Sequence, residues 1–142
     1  MLGRLLFAVL LALCSAFGGK AFASDYVVSY AFDAGSLNDV GTVHDCRYGV
    51  SCLIKSKSLD LTISLDVYLP LRGNQKELSV SIYGGRTRPD CCFFSDGVEY
   101  RTLKLEEPFL QLGVYEGHAR RRNEFIRNSP LGVLYLQFSD MK

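Results

Sequence analysis

Of the five cysteines in this chain, the four beyond residue 23 are the residues whose types and spacing could do chemistry most directly. Cys46 and Cys52 enclose a loop of five residues, and Cys91 and Cys92 are adjacent. An even number of cysteines in an exported domain predicts disulfides, and four cysteines allow three pairings. Two pairings would join the early loop to the later strand across about 40 residues, stabilising the fold by roughly 3–4 kcal/mol per bond. We expect one of these crossed arrangements.

The third pairing and a metal site are the alternatives. A Cys46–Cys52 loop would leave Cys91–Cys92 as a vicinal disulfide, a strained ring that is more easily reduced and is therefore a candidate functional bond. His44 would add a nitrogen ligand to the four thiolates in a site for Zn²⁺ or Cu(I). The chain has no CxxC spacing. The sequence therefore predicts no bound metal and no cofactor.

Catalytic signatures are not found in the sequence. Neither histidine, His44 or His118, accompanies a GxSxG, HExxH, P-loop or dinucleotide-binding motif. The adjacent carboxylates of Glu106 and Glu107 would point to opposite faces of a strand, so they are poorly placed to share one substrate. We therefore expect no catalytic residues and a protein that is not an enzyme.

The first 23 residues have the pattern of a cleaved signal peptide. Arg4 gives a short basic start, residues 5–17 form an apolar run, and Ala21-Phe22-Ala23 is a small-x-small cleavage site before Ser24. The apolar run is shorter than the roughly 20 residues of a membrane span. We predict a signal peptide over residues 1–23, no transmembrane segment in the mature chain, and an extracytoplasmic protein, either periplasmic or secreted.

Length and charge limit what residues 24–142 can be. They are long enough for one domain with its own core and too short for two. Removing residues 1–23 takes two of the 16 basic residues and leaves 14 against 15 acidic ones, so the mature chain is close to neutral. Proteins that bind nucleic acid through charge are strongly basic, and we expect no such partner here.

Period-2 alternation of aliphatic and polar residues dominates the middle of the chain. Every second residue of 59–69 is aliphatic, which places the apolar side chains on one face of a strand. The alternation resumes at 78–82 after a turn that contains Gly73 and Asn74, and this predicts a hairpin. We predict further strands at residues 26–32, 50–55, 91–94, 98–105, 109–115 and 132–138, with a second hairpin across Ser95-Asp96-Gly97. About seven or eight strands with little helix predict an all-β fold, a single small β-sandwich, jelly roll or barrel.

Two surfaces of this predicted domain could bind a partner. If the aliphatic residues point inward, Tyr68 and Tyr83 point outward beside small hydroxyl residues, and Tyr115 and Tyr135 could join them. Tyrosines among such residues can stack on sugar rings or dock a protein. The second surface is a basic segment that contains Arg120, Arg121, Arg122 and Arg127. The planar guanidinium groups suit carboxylates or phosphates.

These observations favour a binding function over a catalytic one. We expect a non-catalytic extracytoplasmic binding domain that recognises a protein or an anionic envelope polymer, a class that includes small secreted enzyme inhibitors. The alternative is a redox-active or metal-handling secreted protein that uses the four cysteines and His44.

Overall fold

Nine β-strands form the described part of the chain. The computed structural model describes residues 23–73, 75–95, 97–117 and 130–142. The strands are β1 (Tyr26–Ala34), β2 (Leu37–Cys46), β3 (Cys52–Ser56), β4 (Leu61–Tyr68), β5 (Glu77–Gly84), β6 (Phe93–Phe94), β7 (Tyr100–Lys104), β8 (Phe109–Tyr115) and β9 (Pro130–Ser139). The predicted all-β class is confirmed. Within these ranges no helix is long and apolar enough to cross a membrane, and residues 1–22 of the predicted signal peptide lie outside the described ranges.

The strands make two antiparallel sheets. One has five strands in the order β2-β1-β9-β8-β6, and the other has four in the order β3-β4-β5-β7. Buried side chains from both sheets form one hydrophobic core cluster, to which Phe32, Leu65, Val80 and Leu136 all belong. Two sheets that share a core are sandwich-like, so the structure supports the first of the three predicted architectures.

The β4–β5 hairpin is the element that the sequence pattern describes best. Its register pairs Ile63 with Ile82 and Leu65 with Val80, and all four side chains are buried. Each buried aliphatic side chain contributes about 1.5–3 kcal/mol from the hydrophobic effect. This hairpin is confirmed, and its alternation fixes which residues face away from the core.

The second predicted hairpin is wrong. β6 pairs with β8 in the five-stranded sheet, whereas β7 pairs with β5 in the four-stranded sheet. Residues 95–99 therefore connect the two sheets, although Phe94 N still donates to Val98 O at 2.8 Å in a local turn. Turn residues mark the change of direction, but they do not determine the sheet to which the next strand belongs.

β2 is a strand that the sequence pattern did not predict. It forms the edge of the five-stranded sheet and pairs with β1, from Ala34 opposite Leu37 to Tyr26 opposite Cys46. Nearly all of its side chains are exposed or half-buried. A strand at an edge with little buried surface needs no run of alternating aliphatic residues, so periodicity could not reveal it.

Candidate functional site

The cysteines pair within each half of the chain. Disulfides join Cys46 to Cys52 and Cys91 to Cys92. The crossed arrangement that we favoured is therefore wrong, and sheet order gives the reason. Cys46 ends β2 and Cys92 directly precedes β6, and these strands are the two opposite edges of the five-stranded sheet. Four strand spacings separate them by about 19 Å, whereas the Cα atoms of a disulfide lie at most about 7 Å apart.

The same separation divides the alternative set of metal ligands. His44 and Cys46 lie on β2, Cys52 begins β3, and Cys91 and Cys92 lie beside the far edge strand. The structure therefore does not bring the five residues together. In the described ranges no group of three or more His, Cys, Asp or Glu side chains could hold a metal ion.

Tyr68 and Tyr83 lie on the outer face of the four-stranded sheet. Tyr83 pairs with Thr62, and Tyr68 pairs with Glu77. Both tyrosines are about half exposed. Three two-residue steps separate their rows, which corresponds to about 20 Å along the strands. The two rings therefore stand at opposite ends of this face, and they cannot contact the same small ligand.

Two further apolar side chains complete the face, and the sequence reasoning missed them. Leu53 of β3 pairs with Ser64, and Tyr100 of β7 pairs with Ser81. Tyr100 is thus a diagonal neighbour of Tyr83, within reach of an aromatic side chain. Alternation along β7 could have shown Tyr100 outward, but only the pairing of β7 with β5 places it on this sheet.

We call Leu53, Tyr68, Tyr83 and Tyr100 the outer apolar face. Their exposed fractions lie between 46 and 62 %. Small hydroxyl residues on the same face of the two central strands, Thr62, Ser64, Ser79 and Ser81, lie between them. The result is a broad, shallow surface whose largest side chains stand at its ends and edges.

Charges on this sheet face are balanced. Lys55 pairs with Thr62 near one end, and Lys104 pairs with Glu77 near the other. Asp66 lies between them and accepts a hydrogen bond from Ser51 Oγ at 2.6 Å. Two cations and two carboxylates leave no net charge on the face. Long-range electrostatic attraction toward a polyanion is therefore not built into it.

Tyr115 and Tyr135 do not join the outer apolar face, because β8 and β9 belong to the five-stranded sheet. Tyr115 stacks on the buried Phe93 with ring centroids 5.7 Å apart, an aromatic pair that stabilises the β6–β8 pairing. Tyr135 stacks on Phe109 at 6.2 Å beside a surface depression of about 180 Å³. The four predicted tyrosines therefore form two separate surfaces.

The predicted basic segment lies outside the described residues. Arg120, Arg121, Arg122 and Arg127 all fall between 117 and 130, where the chain connects β8 to β9. The described residues on either side of it, Tyr115 and Pro130, pair with each other.

A second concave feature lies beside Cys91 of the vicinal disulfide. A cleft of about 300 Å³ is lined by Thr87, Arg88, Pro89, Asp90, Cys91, Glu116 and Gly117. Arg88 and Glu116 form an ion pair across it. Asp60 holds the turn that contains Thr87 and precedes the disulfide. Its carboxylate accepts hydrogen bonds from Thr87 N at 2.6 Å and Thr87 Oγ1 at 2.7 Å. These two bonds, with smaller contributions from the nearby arginines, lower the pKa of Asp60.

Comparisons with known proteins add no function to this geometry. No family model matches the chain, and no curated protein or solved structure is significantly similar to it.

Proposed function

We propose that this chain is a non-catalytic extracytoplasmic binding domain that holds a protein partner on the outer apolar face. The concentration of exposed hydrophobic residues carries the proposal. Of eleven exposed large hydrophobic side chains in the described ranges, eight lie on the four-stranded sheet or in loops adjoining its strands. Exposed apolar side chains concentrated on one sheet of a small domain favour an interaction site there over scattered single residues elsewhere.

The chemistry of the face selects a protein over an anionic polymer. Its charges cancel, so it offers no attraction that a polyanion would use. Tyrosine supplies a large contact area with little loss of side-chain entropy, and tyrosines among serines are the combination that antibody binding loops use to hold proteins. The 20 Å between the Tyr68 and Tyr83 rows also suits a broad partner surface.

Affinity capture from an envelope extract tests this proposal with three variants. Tyr83→Ala with Tyr100→Ala removes two neighbouring rings of the outer apolar face. Val40→Ser is the matched control, because Val40 is 73 % exposed on β2 of the other sheet. The third variant changes Arg120, Arg121 and Arg122 to Ser. Exposed substitutions of this kind change stability by about 0.5 kcal/mol or less.

We expect a protein that wild type and the Val40→Ser control both retain in about 0.5 M salt, where exposed charges are screened. The double tyrosine variant should lose it. Recovery of the same protein by the double tyrosine variant would contradict the proposal. Binding would instead be assigned to the basic segment if a polymer is captured only at low salt and the arginine variant is the one variant that fails to capture it. If the domain self-associates and the double tyrosine variant does not, the partner is a second copy of this chain.

A further inference from the structure

The two disulfides differ in how they can be reached from solvent. Cys46 and Cys52 are both buried, with at most 5 % of either residue exposed. Cys92 is also buried, but its neighbour Cys91 is only half-buried and lines the open cleft. Thiol–disulfide exchange needs direct access of a thiolate to one sulfur atom. Cys91 is the least buried of the four cysteines and lines this cleft.

The loop before the disulfide is held in place, which keeps Cys91 at the cleft wall. Gly84 N donates to Cys91 O at 2.7 Å, and Cys91 N donates to Arg88 O at 3.1 Å. A Cβ on Gly84 would collide with the backbone of Arg88 and Cys91, so only glycine permits this close approach. The Arg88–Glu116 ion pair joins the same loop to the end of β8.

We propose that Cys91–Cys92 is a redox-active disulfide that exchanges with an external dithiol through this cleft. A thiolate of the dithiol attacks Cys91 Sγ, the Cys91–Cys92 bond breaks, and Cys92 leaves as a thiolate that takes up a proton. The second thiolate of the dithiol then attacks its own sulfur in the mixed disulfide and releases Cys91. The dithiol is oxidised to a disulfide, and the cystine receives its two electrons. This site is independent of the outer apolar face.

The Cys46–Cys52 bond is the internal control for this inference. Both of its cysteines are buried at the β2 edge and none of the cleft residues lies beside it in the strand order. The folded protein is incubated with graded dithiothreitol, free thiols are trapped with N-ethylmaleimide, and each cysteine is mapped by mass spectrometry. We expect Cys91 and Cys92 to be alkylated at a dithiothreitol concentration at least about tenfold below that needed for Cys46 and Cys52. Simultaneous reduction of both bonds, or earlier reduction of Cys46–Cys52, would overturn the proposal.

Two variants, each with one cysteine of the vicinal disulfide replaced, test which sulfur atom is attacked. Cys92→Ala leaves the Cys91 thiol at the cleft, and Cys91→Ala leaves the Cys92 thiol in the core. N-ethylmaleimide should label the first variant about tenfold faster or more, because reactivity follows exposure of the thiolate. Circular dichroism of both variants shows that each is folded. Equal labelling rates in two folded variants would remove the assigned role of Cys91.

Discussion

At the residue scale, Tyr26 shows what complete burial does to a phenol. Its ring lies between those of Tyr48 and Phe138, with centroids 5.4 and 6.1 Å away. Burial, followed by the charge of Asp66, raises the pKa of Tyr26 from 10.0 to about 12. The Val67 backbone lowers this pKa slightly, yet within the described ranges the buried hydroxyl makes no hydrogen bond of normal geometry.

We predict that Tyr26→Phe stabilises the protein at neutral pH by up to about 1 kcal/mol, because it removes an unpartnered buried hydroxyl. The raised pKa of Tyr26 also makes wild-type stability fall as pH rises from 10.0 to about 12, where the unfolded phenol ionises first. The Tyr26→Phe variant should lack the part of the loss of stability at alkaline pH that comes from this phenol. Urea denaturation of both proteins at neutral and alkaline pH measures the difference, and a variant less stable than wild type at neutral pH would contradict it.

Asp60 has the opposite pH dependence. Hydrogen bonds from Thr87 lower the pKa of Asp60 below its usual 3.8, so its contribution is complete above that value and is lost as pH falls through the folded-state pKa. Asn also tolerates the left-handed backbone of this residue, whose φ is 50°. We therefore predict that Asp60→Asn lowers the melting temperature at neutral pH and that the gap to wild type closes in acid. A gap that stays constant down to about pH 2 would exclude a role for the charge.

At the scale of elements, the two disulfides should contribute differently to stability. Cys46–Cys52 links residues six apart in sequence, and the chain-entropy model gives a loop of this size about 2 kcal/mol. A bond between neighbours closes only a small ring and should act less through chain entropy. Replacing Cys46 and Cys52 by Ala should therefore reduce the free energy of unfolding by about 2 kcal/mol, and replacing Cys91 and Cys92 should reduce it less. Denaturant titration of the two double variants compares them directly, and a larger loss on replacing Cys91 and Cys92 would contradict this prediction.

The strands that could be predicted from sequence are those with one buried face. Alternation in 59–69 and 78–82 places β4 and β5 and shows that Tyr68 and Tyr83 face outward. It fails for β2, whose residues bury little surface, and it cannot tell that β6 and β7 enter different sheets. The other two residues of the outer apolar face, Leu53 and Tyr100, could not be predicted from sequence either, because they join the face only through strand order. Sequence periodicity reports which face of a strand is buried, whereas sheet membership depends on contacts far along the chain.

At the scale of the whole molecule, the first residues after the predicted cleavage site contact the rest of the domain. Ser24 O accepts a hydrogen bond from Lys142 Nζ at 3.2 Å, and Asp25 N donates to Cys46 O at 2.9 Å. Cleavage after Ala23 would keep both. We predict that the exported protein begins at Ser24, as intact-mass measurement would show. A mature chain that begins at another residue would refute this.

The position of β9 constrains the order in which this molecule can fold. It is the last of the described strands, yet it lies in the middle of the five-stranded sheet and pairs with both β1 and β8. Phe32 and its partner Leu134 are about 100 residues apart, a separation that slows folding, whereas β3, β4 and β5 can associate through short connections. A nascent chain without β9 has two halves of a sheet and nothing to join them. We therefore expect the five-stranded sheet to form only after β9 has been made, whereas β3, β4 and β5 can pair earlier.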